Sequence, residues 1–187
     1  MKTLLHMCCA PCSIACIELL RGEGIEPTGF WFNPNIHPFT EYRARKNALV
    51  GYAKHIGLDL VLQGDYGLRP FIAGVSPDFD DRCGYCYRVR FEKTAQYAVQ
   101  NGFEAFTTTL LISPYQDHER ICTVASEVAQ QYGVSFLYRD FRPYFRDGQQ
   151  KARDLELYMQ KYCGCIFSEE DRYKKKKKIR PAAQQAH

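Results

Sequence analysis

The sequence has no long apolar run. No stretch approaches the roughly 20 apolar residues that a helix needs to cross a bilayer, and the mean hydropathy is -0.40. The short apolar run near the N-terminus is interrupted by cysteines directly after Met7, before the core of a signal peptide is complete. We therefore expect a cytoplasmic protein without a secretion signal and without membrane association.

A disulfide framework is not expected either, although the 187 residues include nine cysteines. Such frameworks occur in small secreted proteins, whereas this chain is longer, has an odd number of cysteines and shows no secretion signal. Metal binding or redox catalysis is therefore the favoured use of the thiols.

Apolar segments alternate with helical patterns along the chain. Strands are predicted at 3–7, 28–32, 58–62, 105–112 and 134–138, helices at 11–20, 42–57, 83–102, 117–132 and 149–162, and a long irregular loop at 63–81. This alternation predicts an α/β fold in which helices cover both faces of a parallel sheet. Ligands of such sheets bind at the carboxyl ends of the strands.

Five cysteines follow predicted strands at that edge. Cys8, Cys9 and Cys12 come directly after the first strand, and Cys83 and Cys86 begin the helix that follows the long loop. A helix N-terminus lowers the pKa of a thiol, and the resulting thiolate is the form that binds metals. The two-residue gap in Cys83-x-x-Cys86 lets both sulfurs face one metal. We therefore expect the five thiolates to converge on a metal centre.

The number of thiols bears on the kind of metal centre. Structural zinc needs only four ligands, so a fifth neighbouring cysteine is surplus. A [4Fe-4S] cluster with an extra thiolate, or with a second metal, accounts for five better. Two alternatives remain open: ordinary buried cysteines, and a zinc-stabilised tRNA-binding module without redox activity.

A second kind of cysteine motif lies near the C-terminus. Cys163 and Cys165 are separated by one glycine. Two thiols at this spacing can close only a strained, readily reduced disulfide, or can bind metal. A redox pair is the favoured interpretation, and a second ligand set is the alternative.

Several motifs occur together in one order. They are His6-x-Cys8-Cys9-Ala-Pro-Cys12, Arg82-Cys83-x-x-Cys86-Tyr87-x-x-Arg90, Phe106-Thr-Thr-Thr-Leu110, Ser113-Pro-Tyr-Gln116 and Tyr162-Cys-Gly-Cys165. With them the sequence resembles the cobalamin-independent epoxyqueuosine reductases, the QueH family, over about residues 3 to 170. The resemblance implies a Rossmann-like fold related to the HUP and ATP-pyrophosphatase proteins. A glycine-rich phosphate loop is missing, so ATP use is not expected.

The resemblance also implies an activity. Members reduce epoxyqueuosine to queuosine at the wobble position of tRNA, the last step of tRNA queuosine biosynthesis. The implied partners are the tRNAs for aspartate, asparagine, histidine and tyrosine, and an electron donor of unknown identity. By resemblance, residues 1–170 form one iron-sulfur catalytic domain, followed by a basic tail at 171–187.

The same resemblance assigns roles to the cysteines. The cysteines of the first two motifs would hold a [4Fe-4S] cluster with an additional iron close by, and Cys163 and Cys165 would form a redox-active disulfide. Whether Cys12 holds the cluster or the extra iron stays open.

Proton donors are expected in the segment after the fourth strand. Conversion of an epoxide to an alkene consumes two electrons and two protons, and Tyr115, Asp117 and His118 are candidates to supply the protons. The alternative is that Asp117 only caps a helix and that His118 is solvated.

Basic residues suit an anticodon loop, which offers phosphates and splayed bases. Arg82, Arg88 and Arg90 are interleaved with tyrosines, although scattered solvent-facing charges are the alternative. The chain also carries an unbroken basic run made of Lys174, Lys175, Lys176, Lys177 and Lys178. The run is expected to contact tRNA phosphates, with a solubilising tail as the alternative.

Replacement of the five lysines of this run by glutamine tests the phosphate contact. Each lost phosphate contact reduces the number of counterions released on binding, so we expect a flatter slope of log affinity against log salt concentration. Fluorescence anisotropy with labelled tRNA at several salt concentrations measures the slope. An unchanged slope would refute the contact.

Overall fold

The structure is a computed structural model, and it describes residues 1–174. A five-stranded parallel sheet has the order β3-β2-β1-β4-β5. The strands are β1 (Thr3–His6), β2 (Pro27–Trp31), β3 (Leu60–Leu62), β4 (Ala105–Thr108) and β5 (Ser135–Phe136). The predicted α/β fold, a Rossmann-like parallel sheet between helices, is confirmed.

The described residues form seven α-helices. They are α1 (Ala10–Gly22), α2 (Phe39–His55), α3 (Leu68–Val75), α4 (Arg82–Gln100), α5 (His118–Tyr132), α6 (Phe145–Asp154) and α7 (Ile166–Tyr173). None of these helices is long and apolar enough to cross a membrane.

The central strand β1 is buried along its whole length. It pairs in parallel with β2 on one side and β4 on the other, so that Leu5 lies between Gly29 and Thr107. Helices on both faces explain why β1 reads as an apolar run rather than as an alternating pattern. The residues that follow β1 therefore lie at the middle of the sheet's carboxyl edge.

Three predicted elements differ from the structure. The loop predicted at 63–81 contains α3, because Leu68, Phe71, Ile72 and Val75 recur at helical spacing and Pro70 lies in the first turn, where it is tolerated. The strand predicted at 105–112 ends at Thr108, and a 3-10 helix covers Thr109–Ile112.

The last predicted helix, 149–162, is also wrong. The helix is α6, which begins earlier and stops at Asp154, and residue 156 then has a positive φ of 53°. α6 packs closely on α1: a Cβ added at Gly148 would lie 3.3 Å from the Cβ of Ala15. This contact holds α6 at residues 145–154. The residues between α6 and Cys163 form a loop.

The division of the chain into a catalytic domain and a basic C-terminal tail stays a prediction. The boundary between residues 1–170 and the basic tail at 171–187 falls inside α7. Lys174 pairs with Glu170 at 2.8 Å. Lys175, Lys176, Lys177 and Lys178 lie outside the described residues.

Candidate metal centre

Three of the five predicted ligands form a compact group. The sulfur atoms of Cys8, Cys9 and Cys12 all lie within 4.8 Å of one another, and all three residues are buried. Cys9 is the N-cap of α1, and Pro11 lies in the first turn, where its missing N–H is not needed. The three thiols therefore sit at the positive end of a helix, at the carboxyl end of β1.

The three thiols of this group differ in acidity. Hydrogen bonds from Cys12 and Cys9 hold the pKa of Cys8 well below its ordinary value. Burial raises the pKa of the Cys9 thiol, and interaction with Cys8 raises that of Cys12. Cys8 is therefore the most acidic of the three thiols.

Polar groups from distant segments surround the three thiols. Thr109, in the 3-10 helix after β4, accepts the Cys8 backbone N–H at 3.3 Å, and its hydroxyl lies 3.6 Å from the Cys8 sulfur. Gln160 Nε2 donates to the Cys12 sulfur at 3.2 Å. The other amide atom, Gln160 Oε1, is buried without a hydrogen-bond partner in the described residues.

These features fit a thiolate-bound metal. Three buried soft donors lie at one point, and a cation favours their deprotonated form. The unpaired Gln160 oxygen beside them is a polar acceptor that a group bound at this point could satisfy.

His6 lies beside the thiols as a neutral imidazole. Its pKa is lowered to about 3, first by complete burial and then by the charge of Arg90. Nε2 lies 3.3 Å from the Phe32 carbonyl, and Nδ1 lies 2.9 Å from the Thr108 hydroxyl. A carbonyl can only accept, so the proton is on Nε2 and Thr108 donates to Nδ1. His6 therefore holds β1, β2 and β4 together rather than offering a free nitrogen to the metal.

Cys83 and Cys86 lie outside this compact group. Both are in the first turns of α4, which Asp81 caps by accepting the Gly84 N–H at 3.3 Å. Cys83 is exposed, whereas Cys86 is buried and its pKa is raised to about 11, mainly by burial.

The two cysteines of α4 lie near the Cys-Gly-Cys motif. Cys86 belongs to a small apolar cluster with Cys165 and Phe71. Charge on Cys163 raises the pKa of both Cys83 and Cys86. The sequence-predicted cysteines therefore form two sets: the first thiol set, Cys8, Cys9 and Cys12, and the second thiol set, Cys83, Cys86, Cys163 and Cys165.

Cys163 and Cys165 are free thiols with unequal acidity. The pKa of Cys163 is lowered to about 5, first by a hydrogen bond with Cys165 and also by Ser168, whereas that of Cys165 is raised. The Cys163 sulfur lies 2.9 Å from Ser168 Oγ, and this hydroxyl donates to the Cys165 carbonyl at 2.7 Å. Cys163 is therefore the nucleophilic member of the pair.

A buried arginine anchors the Cys-Gly-Cys segment. Arg45 of α2 donates to the carbonyls of Tyr162 at 2.9 Å and Cys163 at 3.1 Å, and pairs with Glu41 at 2.6 Å. Gly164 has a φ of +126°, and a Cβ there would lie 3.2 Å from the Arg45 guanidinium. Sequence reasoning missed Arg45, although its place on the buried face of the predicted helix, between Tyr42 and Leu49, was a signal.

The predicted proton donors differ in their surroundings. Tyr115 is 87% exposed and lies edge-on to Phe145. Asp117 accepts the Arg120 N–H at 3.0 Å and so caps α5. His118 Nε2 lies 3.2 Å from the Tyr138 hydroxyl. In this structure Asp117 is a helix cap.

The three predicted tRNA-binding arginines also differ. Arg82 pairs with Asp171 at 3.1 Å, and Arg88 pairs with Glu127 on the surface. Arg90 is only 2% exposed, so it is not available to a phosphate at the surface. The tRNA contact predicted for Arg90 therefore does not fit its position.

Comparison with solved structures concerns the fold. A predicted subunit of tRNA methyltransferase from Methanocaldococcus jannaschii has a TM-score of 0.52 at 10% identity, covering 82% of this chain and 75% of that chain. This similarity agrees with the parallel α/β sheet described above.

Comparison with sequences identifies the family. The family model for Epoxyqueuosine reductase QueH matches residues 3–171. A relative of that name from Dehalococcoides mccartyi is 37% identical, covering 93% of this chain and 96% of the relative. Another from Thermotoga maritima is 35% identical, covering 94% of both. The matched residues include both thiol sets, and the chain belongs to the epoxyqueuosine reductase QueH family.

Proposed function

We propose that this chain reduces epoxyqueuosine in tRNA to queuosine. The observation that carries the proposal is the pair of thiol sets, one grouped at the carboxyl end of β1 and the other containing a polarised dithiol. Removal of the epoxide oxygen as water requires two electrons and two protons, so the site needs a redox centre and acidic groups. Family membership supplies the identity of the epoxide.

The ligands of the metal centre are proposed to be Cys8, Cys9, Cys12, Cys83 and Cys86, holding a [4Fe-4S] cluster and an additional iron. Support comes from the compact first set and from Cys86, which lies buried at the start of a helix. When bound, such a cluster supplies one-electron transfer, and an adjacent iron supplies a Lewis acid.

The Cys-Gly-Cys dithiol is proposed to supply the reducing equivalents. Oxidation of Cys163 and Cys165 to a disulfide forms one S–S bond and releases two electrons and two protons. This is the amount that conversion of an epoxide to an alkene and water consumes. A separate electron donor, whose identity stays open, would then return the disulfide to the dithiol.

The substrate surface is proposed to lie beside both sets. A cavity of about 300 Å³ is lined by the aromatic rings of Phe32, Tyr66, Phe71 and Tyr85, with Asp65 among its lining residues. Phe32 follows β2, and Phe71 packs with Cys86. Aromatic walls suit the splayed bases of an anticodon loop.

Phosphate contacts and proton donors are the remaining parts of the proposal. Arg82, Arg88 and the basic run from Lys174 are proposed to contact tRNA phosphates. Tyr115, Asp117 and His118 are proposed to supply protons, and Tyr115 is 87% exposed. The four acceptor tRNAs, those for aspartate, asparagine, histidine and tyrosine, and a cytoplasmic location complete the proposal.

The proposed reaction is tested with anaerobically reconstituted enzyme and tRNA that carries epoxyqueuosine. We expect queuosine in the nucleoside digest by mass spectrometry, from a brown, iron-rich protein. Stoichiometric zinc without iron, in a colourless protein that leaves epoxyqueuosine intact, would support the zinc-stabilised binding module instead.

Membership in the first thiol set predicts which cysteine substitutions lose metal. Cys9→Ser removes a grouped thiol, so we expect iron per chain to fall to half or less. Cys16→Ser is the matched control: Cys16 is also buried but lies one turn beyond Cys12 on α1, where its thiol donates to the Cys12 carbonyl. Iron and sulfide quantitation measures both variants. Equal retention of iron by the two variants contradicts the ligand role of Cys9.

The acidity of Cys163 gives a pH prediction. Its pKa is lowered to about 5, so alkylation of Cys163 should stay fast down to about that pH. When Cys163 ionises, the Ser168 hydroxyl, 2.9 Å from the sulfur, can turn from the Cys165 carbonyl and donate to the thiolate, which lowers the pKa of Cys163. Ser168→Ala removes this donor, so the midpoint of the alkylation rate should shift to higher pH. Rates at different pH values, followed by mass spectrometry of the metal-free protein, measure the midpoint; Ser76→Ala, on α3's C-cap, is the control. The role of Ser168 is refuted by an unshifted midpoint.

A further inference from the structure

Arg90 is a buried cation without a role in the proposed reaction. It lies on α4 one turn after Cys86 and is 2% exposed. Its Nε donates to the Cys86 carbonyl at 3.0 Å, and its guanidinium lies 5.8 Å from the centre of the Tyr87 ring. These contacts fix the side chain but do not neutralise its charge.

Arg90 differs in this respect from the other buried arginine. Arg45 has a carboxylate, Glu41, at 2.6 Å. Within residues 1–174, the ion pairs closer than 4 Å include none with Arg90. Burial of a charge without a partner is costly, so the position requires a negative group from elsewhere.

The surroundings of Arg90 point to the two thiol sets. Its Nε–H bond to the Cys86 carbonyl keeps the guanidinium beside the first turns of α4, where Cys83 and Cys86 are found. Phe91, the next residue of α4, packs edge-on against His6 with ring centres 6.2 Å apart, and His6 is two residues from Cys8. The guanidinium therefore lies between the start of α4 and the end of β1, where the thiols of both sets are found.

We propose that Arg90 is the counter-cation of the metal–thiolate centre. Metal binding replaces neutral thiols by thiolates, so the buried centre gains net negative charge, and a fixed guanidinium stabilises that state. Reduction adds a further negative charge, which the same cation favours. Arg90 is thus a positioning residue that tightens metal binding and makes the centre easier to reduce. The part on reduction rests on the proposed function, whereas the part on metal affinity does not.

Cobalt(II) binding to the metal-free full-length chain tests the charge without redox chemistry. Thiolate-to-cobalt absorption reports the occupied site. For Arg90→Gln we expect an affinity about tenfold weaker or more, the effect of losing a hydrogen-bonded charge. Arg90→Lys keeps the charge and should bind within a fewfold of the unmodified chain. Arg88→Gln, which removes the same charge from a side chain 41% exposed on the same helix, should leave the affinity unchanged.

Reconstituted protein tests the second part through the reduction potential of the centre. Arg90→Gln should shift the midpoint to more negative values in an anaerobic titration followed by electron paramagnetic resonance, with Arg90→Lys intermediate and Arg88→Gln unshifted. Unchanged cobalt affinity and midpoint in folded Arg90→Gln overturn the proposal. If Arg90→Gln does not fold, the Arg90→Lys variant tests the proposal. Near-normal cobalt binding by this variant supports the role of the positive charge, and loss of cobalt binding overturns the proposal. Because cobalt titration needs neither iron nor tRNA, its result is independent of whether epoxyqueuosine is the substrate.

Discussion

Burial of three neighbouring thiols at the end of β1 is the constraint on which the rest of this structure depends. Cys8, Cys9 and Cys12 are 8%, 1% and 7% exposed, so water contributes little to the stability of their charged forms. The protein meets this cost with fixed groups: the N-terminus of α1, the Thr109 hydroxyl and the Gln160 amide. Because the first strand lies in the centre of the sheet, these three groups from separate segments can meet at its end.

The second thiol set is governed by a different balance. Its Cys163 side chain is stabilised as a thiolate by local hydrogen bonds, while its backbone is held by Arg45. The charge of Arg45 is neutralised by Glu41, which also accepts the Tyr158 hydroxyl. Arg45 thus has a carboxylate partner, whereas Arg90 has none within 4 Å among residues 1–174. Arg45 also acts on both thiol sets: burial lowers its pKa, but the charges of Cys9, Glu41 and Cys8 raise it, and its own charge helps to lower the pKa of Cys163.

The parts of this structure that sequence predicts are those with short-range causes. The end of the first strand follows from an apolar run interrupted by Cys8, and capping by Asp117 follows from its place before a helical pattern. The end of α6 depends on the close packing of Gly148 on Ala15, a contact between distant segments that no local pattern reveals. For the same reason Arg90 reads as a surface charge from the sequence: its burial results from tertiary packing. Grouping of the first set was predictable, but the separation of Cys83 from it was not.

The position of β1 in the sheet also constrains how the protein is made. Thr3 and Leu4 pair with Ala105 and Phe106, so the strand that carries the first thiols is completed only by a strand about a hundred residues later. During synthesis the nascent chain exposes Cys8, Cys9 and Cys12 to the ribosome surface before Thr109 exists to cover them. A reactive thiol trio without its enclosure attracts stray metals and oxidants. The enclosure of these thiols is therefore complete only after β4 and Thr109 have been synthesised.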